Sequence, residues 1–194
     1  MNDFFETLGI ARTFRDEDAA QLERRFHELQ RRYHPDHSAA KGGDAIGDAL
    51  ERSSQINAAY RTLRDPISRT KYLLSLFGYS VENAKQVPMD LLELVMSVQE
   101  HVALMQAGAK LGNQLQNVEA DLNARIVALR SEIDTQRSAW DSIAEHSIPG
   151  AALRDDEKKI LETLTRSLAT RAYLQTLHDT LSAAKEGRSL VLKH

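Results

Sequence analysis

Cysteine is missing altogether from this chain of 194 residues. Its absence removes disulfides, thiolate metal sites, cysteine nucleophiles and thiolate-held iron–sulfur clusters from consideration, and it fits a reducing compartment. Proline and glycine are scarce, at 4 and 9 residues, and β-branched residues are sparse, so little interrupts helices or favours strands. No apolar run approaches the length of a membrane span. The first residues, 1–14, lack the basic stretch and long apolar run of an export signal. The expectation is a protein of the cytoplasm or an equivalent lumen, with no membrane partner. Excess positive charge is absent too. Lys and Arg number 25 against 28 Asp and Glu, a net charge of −3, which argues against a nucleic-acid partner for the molecule as a whole.

Hydrophobic residues make up 42% and charged residues 27%, the balance of a folded globular chain. Ala, Leu, Glu, Arg and Gln dominate, so the predicted fold class is all-α. Residues 3–9 read as a short helix closed by Gly9. Residues 16–33 read as a longer one, with Asp16 as cap and Glu17 and Asp18 in the first turn. Its apolar residues Leu22, Phe26, Leu29 and Tyr33 follow spacings of 4, 3 and 4 and fall on one stripe. Arg24, Arg25, Arg31 and Arg32 fall on another side, which gives the helix a core face and a basic face. His34-Pro35 ends it, because proline disfavours a helical conformation in the residue before it. Residues 36–48 are glycine-rich and polar and read as a loop.

A third helix is predicted from near Ala49, carrying Ile56, Ala59, Tyr60 and Leu63. Asp65-Pro66 marks a break, and Pro66 suits a first helical position, so further turns follow through Arg69, Tyr72 and Leu76. Phe77-Gly78 closes this region. After a polar connector come three predicted helices, roughly 89–107, 110–146 and 152–186. Their stripes are Leu91, Val95, Val98, Val102 and Met105; then Leu115 through Ile133 to Trp140; then Ile160, Leu164 and Leu168 followed, with a phase slip, by Leu174, Leu177 and Leu181. Three such helices predict an antiparallel bundle. The expected domains are 1–78, a connector 79–88, the bundle 89–186 and a tail 187–194.

The informative tripeptide is His34-Pro35-Asp36, set between an amphipathic helix with a basic face and a further helix. Proline fixes its own backbone and leaves no amide donor, so an imidazole and a carboxylate would be held out at a helix end. The neighbouring arginines would offer a positive field to an acidic partner surface. This layout resembles the J domain. Asp3-Phe4-Phe5-Glu6-Thr7-Leu8-Gly9 looks like the family's opening helix and Tyr33-His34-Pro35-Asp36 like its signature loop. Ile56-Asn57-Ala58-Ala59-Tyr60, Leu63, Asp65-Pro66, Arg69 and Tyr72 look like its third helix and ending. The resemblance implies a co-chaperone that docks on a DnaK-class ATPase through His34, Pro35 and Asp36, and more loosely through Arg24, Arg25, Arg31 and Arg32, and accelerates its ATP hydrolysis. His37 stands where the family commonly has lysine, which removes a fixed charge beside the loop.

No glycine-rich stretch or cysteine-rich zinc module follows. The run from Ser53 to Gly78 and the bundle after it resemble the iron–sulfur cluster assembly co-chaperones of the HscB family. That resemblance implies an HscA-like ATPase as partner, an IscU-like iron–sulfur scaffold protein as client, and no cofactor and no catalysis of the chain's own. In the helix over 89–107, Leu92, Met96 and Ala103 form a second apolar stripe about a quarter turn from the core stripe. Either this stripe widens the core face or it meets a partner. The resemblance assigns Leu92, Met96, Glu100 and Tyr173 to client binding. Glu93, Ser97 and Gln99 stand where the family has an apolar, an acidic and a basic residue. Two other readings stay open. The bundle may serve another client or dimerise, or the histidines between His27 and His37 may form a general acid/base or metal site, although their spacing matches no metal signature.

Overall fold

A computed structural model describes residues 3–14, 19–34, 43–83, 89–143 and 148–187. Every regular element among them is helical, as predicted: α1 (Phe4–Leu8), α2 (Ala19–Arg32), α3 (Gly43–Arg64), α4 (Pro66–Leu76), α5 (Leu92–Gln106), α6 (Asn113–Ile143) and α7 (Asp155–Lys185). Short 3-10 turns at Val81–Asn83 and Met89–Leu91 precede α5.

The local signals explain most of the boundaries. Asp3 caps α1 by accepting from the Glu6 amide at 2.8 Å, and Gly9 ends it at φ 64°, a left-handed conformation that glycine adopts without a Cβ penalty. Asp65 caps α4 the same way, accepting from the Ser68 amide at 2.8 Å, with Pro66 at the first helical position. One boundary differs. Residues 43–48 belong to α3 and not to a loop, so the helix starts six residues ahead of Ala49. Gly43 and Gly47 weaken a helix by roughly 1 kcal/mol each relative to alanine, a bias that the burial of Ala49 and Ile56 farther along the same helix outweighs. The expected cap of α2 by Asp16, with Glu17 and Asp18 behind it, lies outside the described residues, as do Pro35 to His37, Pro88 and the tail beyond 187.

The chain forms two compact units. The first joins Met1–Tyr79 to Arg137–Lys159, and the second joins Ser80–Gln136 to Ile160–His194. In the first unit, α3 packs against α1, α2 and α4. Phe5, Leu8, Phe14, Leu22, Ile56, Ala59, Leu63, Leu73 and Leu74 are buried there together with Trp140. Two buried arginines stand among these apolar residues. Arg69 Nε donates to the Thr13 carbonyl at 2.8 Å, and its guanidinium lies 5.5 Å from the Phe5 ring centre. Arg137 Nη2 donates to the Phe14 carbonyl, while Asp141 accepts from the Phe14 amide at 2.7 Å.

In the second unit, Leu91, Leu94, Val95 and Val98 of the α5 region pack with Val118 and Leu122 of α6 and with Leu174, Leu177 and Leu181 of α7. An ion pair of 2.5 Å between Lys185 near the end of α7 and Glu119 near the start of α6 fits antiparallel helices. The predicted stripes supply this core. Leu94 and Leu161 join the buried set although neither stripe contained them, while Ile160 is only half-buried.

Candidate functional site: the α2 face and the exposed stripe of α5

Helix α2 lies antiparallel to α3. As residue numbers rise along α2 they fall along α3: Phe26 stacks on Tyr60 with centroids 4.0 Å apart, Gln30 donates to the Asn57 side chain at 2.9 Å, and the Tyr33 hydroxyl accepts from Arg52 Nη1 at 3.3 Å. Leu22 completes the inward stripe. The four arginines read from the sequence as a basic face, Arg24, Arg25, Arg31 and Arg32, are all exposed. Arg25 pairs with Glu28 at 3.2 Å, and Arg32 lies 5.6 Å from the Tyr33 ring centre. Among the described residues, Arg24 and Arg31 enter no ion pair, so their charges face solvent.

His34 follows the last helical residues of α2 and is exposed. Pro35 and Asp36 lie outside the described residues. His27 Nε2 approaches Glu23 at 3.8 Å, both exposed on α2. Among the described residues, no group of three or more His, Asp or Glu side chains gathers to hold a metal ion, and no helix is long and apolar enough to cross a membrane.

In the second unit the rotation of α5 keeps the second apolar stripe out of the core. Leu94, Val95 and Val98 turn inward, while Leu92 remains 47% exposed and Met96 62% exposed. Ala103 on the same stripe is exposed as well, and so is Glu100. Tyr173 is half-buried and packs against the core formed by α5, α6 and α7. A leucine and a methionine four residues apart on α5 are thus left in water beside a filled core.

A short capped helix, an antiparallel α2–α3 pair with a basic outer face, and a histidine at the end of α2 define a J-domain protein. The DnaJ domain family model matches residues 3–72. The chain is also 33% identical to the "Co-chaperone protein HscB" of Proteus mirabilis (strain HI4320) over 150 residues, covering 74% of this chain and 85% of that protein. It belongs to the HscB family of J-domain co-chaperones. Two solved structures share the fold. "Chaperone HscB from Vibrio cholerae" superposes with a TM-score of 0.66 at 23% identity, over 95% of this chain and 99% of that one. The human co-chaperone protein HscB superposes with a TM-score of 0.61 at 24% identity, over 95% and 83%.

Several residues that build these surfaces carry no sequence signal of their own. Arg52 sits on an outward position of α3 that reads as ordinary solvated charge. Arg137 and Asp141 lie on α6, far in sequence from the Phe14 peptide they hold. The one trace was Trp140, legible as a core residue but not as a partner of Phe14 and Phe77, whose ring centres lie 6.1 and 5.0 Å away.

Proposed function

We propose that this chain stimulates the ATPase of a DnaK-class, HscA-like chaperone and delivers an iron–sulfur scaffold protein of the IscU kind to it, without catalysis of its own. The observation that carries the first half is the α2 face: two arginines without ion pairs and an exposed His34 at one helix end, on a chain of the HscB family. Uncommitted cations on a rigid helix speed and orient encounter with an acidic surface, and the effect weakens with salt. The exposed Leu92 and Met96 support the second half, because an apolar pair of this size gains by leaving water. The chain contains no cysteine, so a cluster carried by the client keeps its thiolate ligands on the scaffold throughout.

The test is steady-state ATP hydrolysis by a purified DnaK-class chaperone with and without the chain. His34→Gln is expected to abolish stimulation while leaving the thermal unfolding curve in place. Arg24→Ala with Arg31→Ala is expected to raise the concentration needed for half-stimulation and to flatten its dependence on salt. Full stimulation by the histidine variant would overturn the proposal.

A further inference from the structure

We infer that Arg52 is a positioning residue for partner docking: through Tyr33 it holds the end of α2 in the orientation that His34 needs. The inference rests on the proposed function and extends it from α2 to α3.

At the end of α2 the Tyr33 amide donates to the Leu29 carbonyl at 2.9 Å. Tyr33 directly precedes His34, so what holds Tyr33 bears on the direction in which His34 leaves. The Tyr33 ring is held from the other helix. Arg52 lies with its guanidinium carbon 5.2 Å from the ring centre, and its Nη1 donates to the Tyr33 hydroxyl at 3.3 Å. A cation over the ring and a bond to its edge hydroxyl fix both position and tilt, which neither contact does alone. Arg32 adds a second guanidinium at 5.6 Å, so the ring beside His34 also collects two positive charges. The anchor end is firm as well, because the stack of Phe26 on Tyr60 and the Gln30–Asn57 bond set the register of α3 against α2.

Nothing in this arrangement is deep. Arg52 is exposed and Tyr33 half-buried, so the contact contributes little to the fold. Its value lies in order at the docking end. A tyrosine already fixed in the free protein loses less conformational freedom when a partner binds. Loss of Arg52 therefore weakens affinity and leaves the maximal effect of a bound co-chaperone intact.

The experiment is a double-mutant cycle on Arg52→Met and Tyr33→Leu, using a purified DnaK-class chaperone that responds to the wild-type chain. The readouts are the concentration for half-maximal stimulation and the stimulation at saturation, with thermal unfolding of each variant alongside. Each single variant is expected to raise the half-maximal concentration about two- to fivefold, the size of an exposed cation–π contact. The double variant should match the worse single variant, because both changes remove the same contact. Saturating stimulation and the unfolding curves should stay at wild-type values. Two results overturn the inference: an Arg52→Met half-maximal concentration equal to wild type, or effects that multiply in the double variant, which would mean that Arg52 meets the partner with its own charge. His34→Gln in the same assay separates the levels, since normal stimulation by that variant sinks the functional reading and this inference with it.

Discussion

Trp140 of α6 packs against Phe14 of the segment between α1 and α2, with ring centres 6.1 Å apart and an angle of 57° between the planes. Both side chains are buried, and Trp140 also meets Phe77 in an edge-to-face contact with ring centres 5.0 Å apart. The first unit therefore draws part of its core from residues 137–159. Trp140→Ala is expected to destabilise the protein by about 3–5 kcal/mol, through lost burial and the void left behind. Among the described residues the Trp140 indole N–H has no hydrogen-bond partner, so Trp140→Phe should cost clearly less. Denaturant melts of the two variants compare directly, and equal losses would contradict this account of the site.

Arg69 calls for a different prediction because its head group is bonded. Its Nε and Nη2 donate to the Thr13 carbonyl and hydroxyl at 2.8 and 3.3 Å. Arg69→Met keeps the apolar stem and strands a carbonyl, at a cost of roughly 1–3 kcal/mol. Arg69→Lys is expected to fail similarly, since one ammonium cannot span both acceptors and cover the Phe5 ring. A urea midpoint equal to wild type for either variant would show that the Thr13 contacts contribute nothing.

Tyr72 predicts a response to alkali. Its ring stacks on Phe4 at 4.4 Å, and its hydroxyl accepts from the Phe4 amide at 2.9 Å. Burial pushes the phenol above its ordinary value of 10.0, against the opposing effect of the Phe4 amide. A phenol whose folded-state pKa is raised keeps its proton longer in the folded protein. Its contribution to stability is intact below pH 10 and is lost as pH rises from there through the folded value. Tyr72→Phe removes that titration, so the stability difference between variant and wild type should shrink as pH climbs past 10. A difference that stays constant across that range would rule out Tyr72 as its source.

Leu92 and Met96 predict a separation of stability from binding. Both are exposed, so Leu92→Ser with Met96→Ser should leave the unfolding free energy within about 0.5 kcal/mol of wild type. Binding to an iron–sulfur scaffold protein, measured by calorimetry, should weaken by roughly ten- to a hundredfold, as expected for two apolar anchors lost from an interface. Intact affinity would detach these residues from the client site.

Much of this was legible in the sequence because the physics concerned is local. Pro66 at a helix start, Gly9 at a helix end and the inward stripe of α2 depend on neighbours within a turn or two. The basic face of α2 follows from the same period, and so does the core stripe of α6 up to Trp140. The start of α3 was misread for the same reason in reverse. Gly43 and Gly47 bias the local chain away from helix, and packing of the helix farther along overrides a bias of that size.

The sequence by itself determined that the chain is helical, where most helices begin and end, and that an amphipathic basic helix leads to His34; these follow from spacing and propensity along one strand of chain. Only the tertiary structure decided the rest. It turned Leu92 and Met96 outward when periodicity allowed either face, set Arg52 against Tyr33 from the opposite helix, and brought Arg137, Trp140 and Asp141 onto Phe14. Helix rotation and long-range pairing are chosen by how whole faces pack against one another, and no single segment of sequence contains that information.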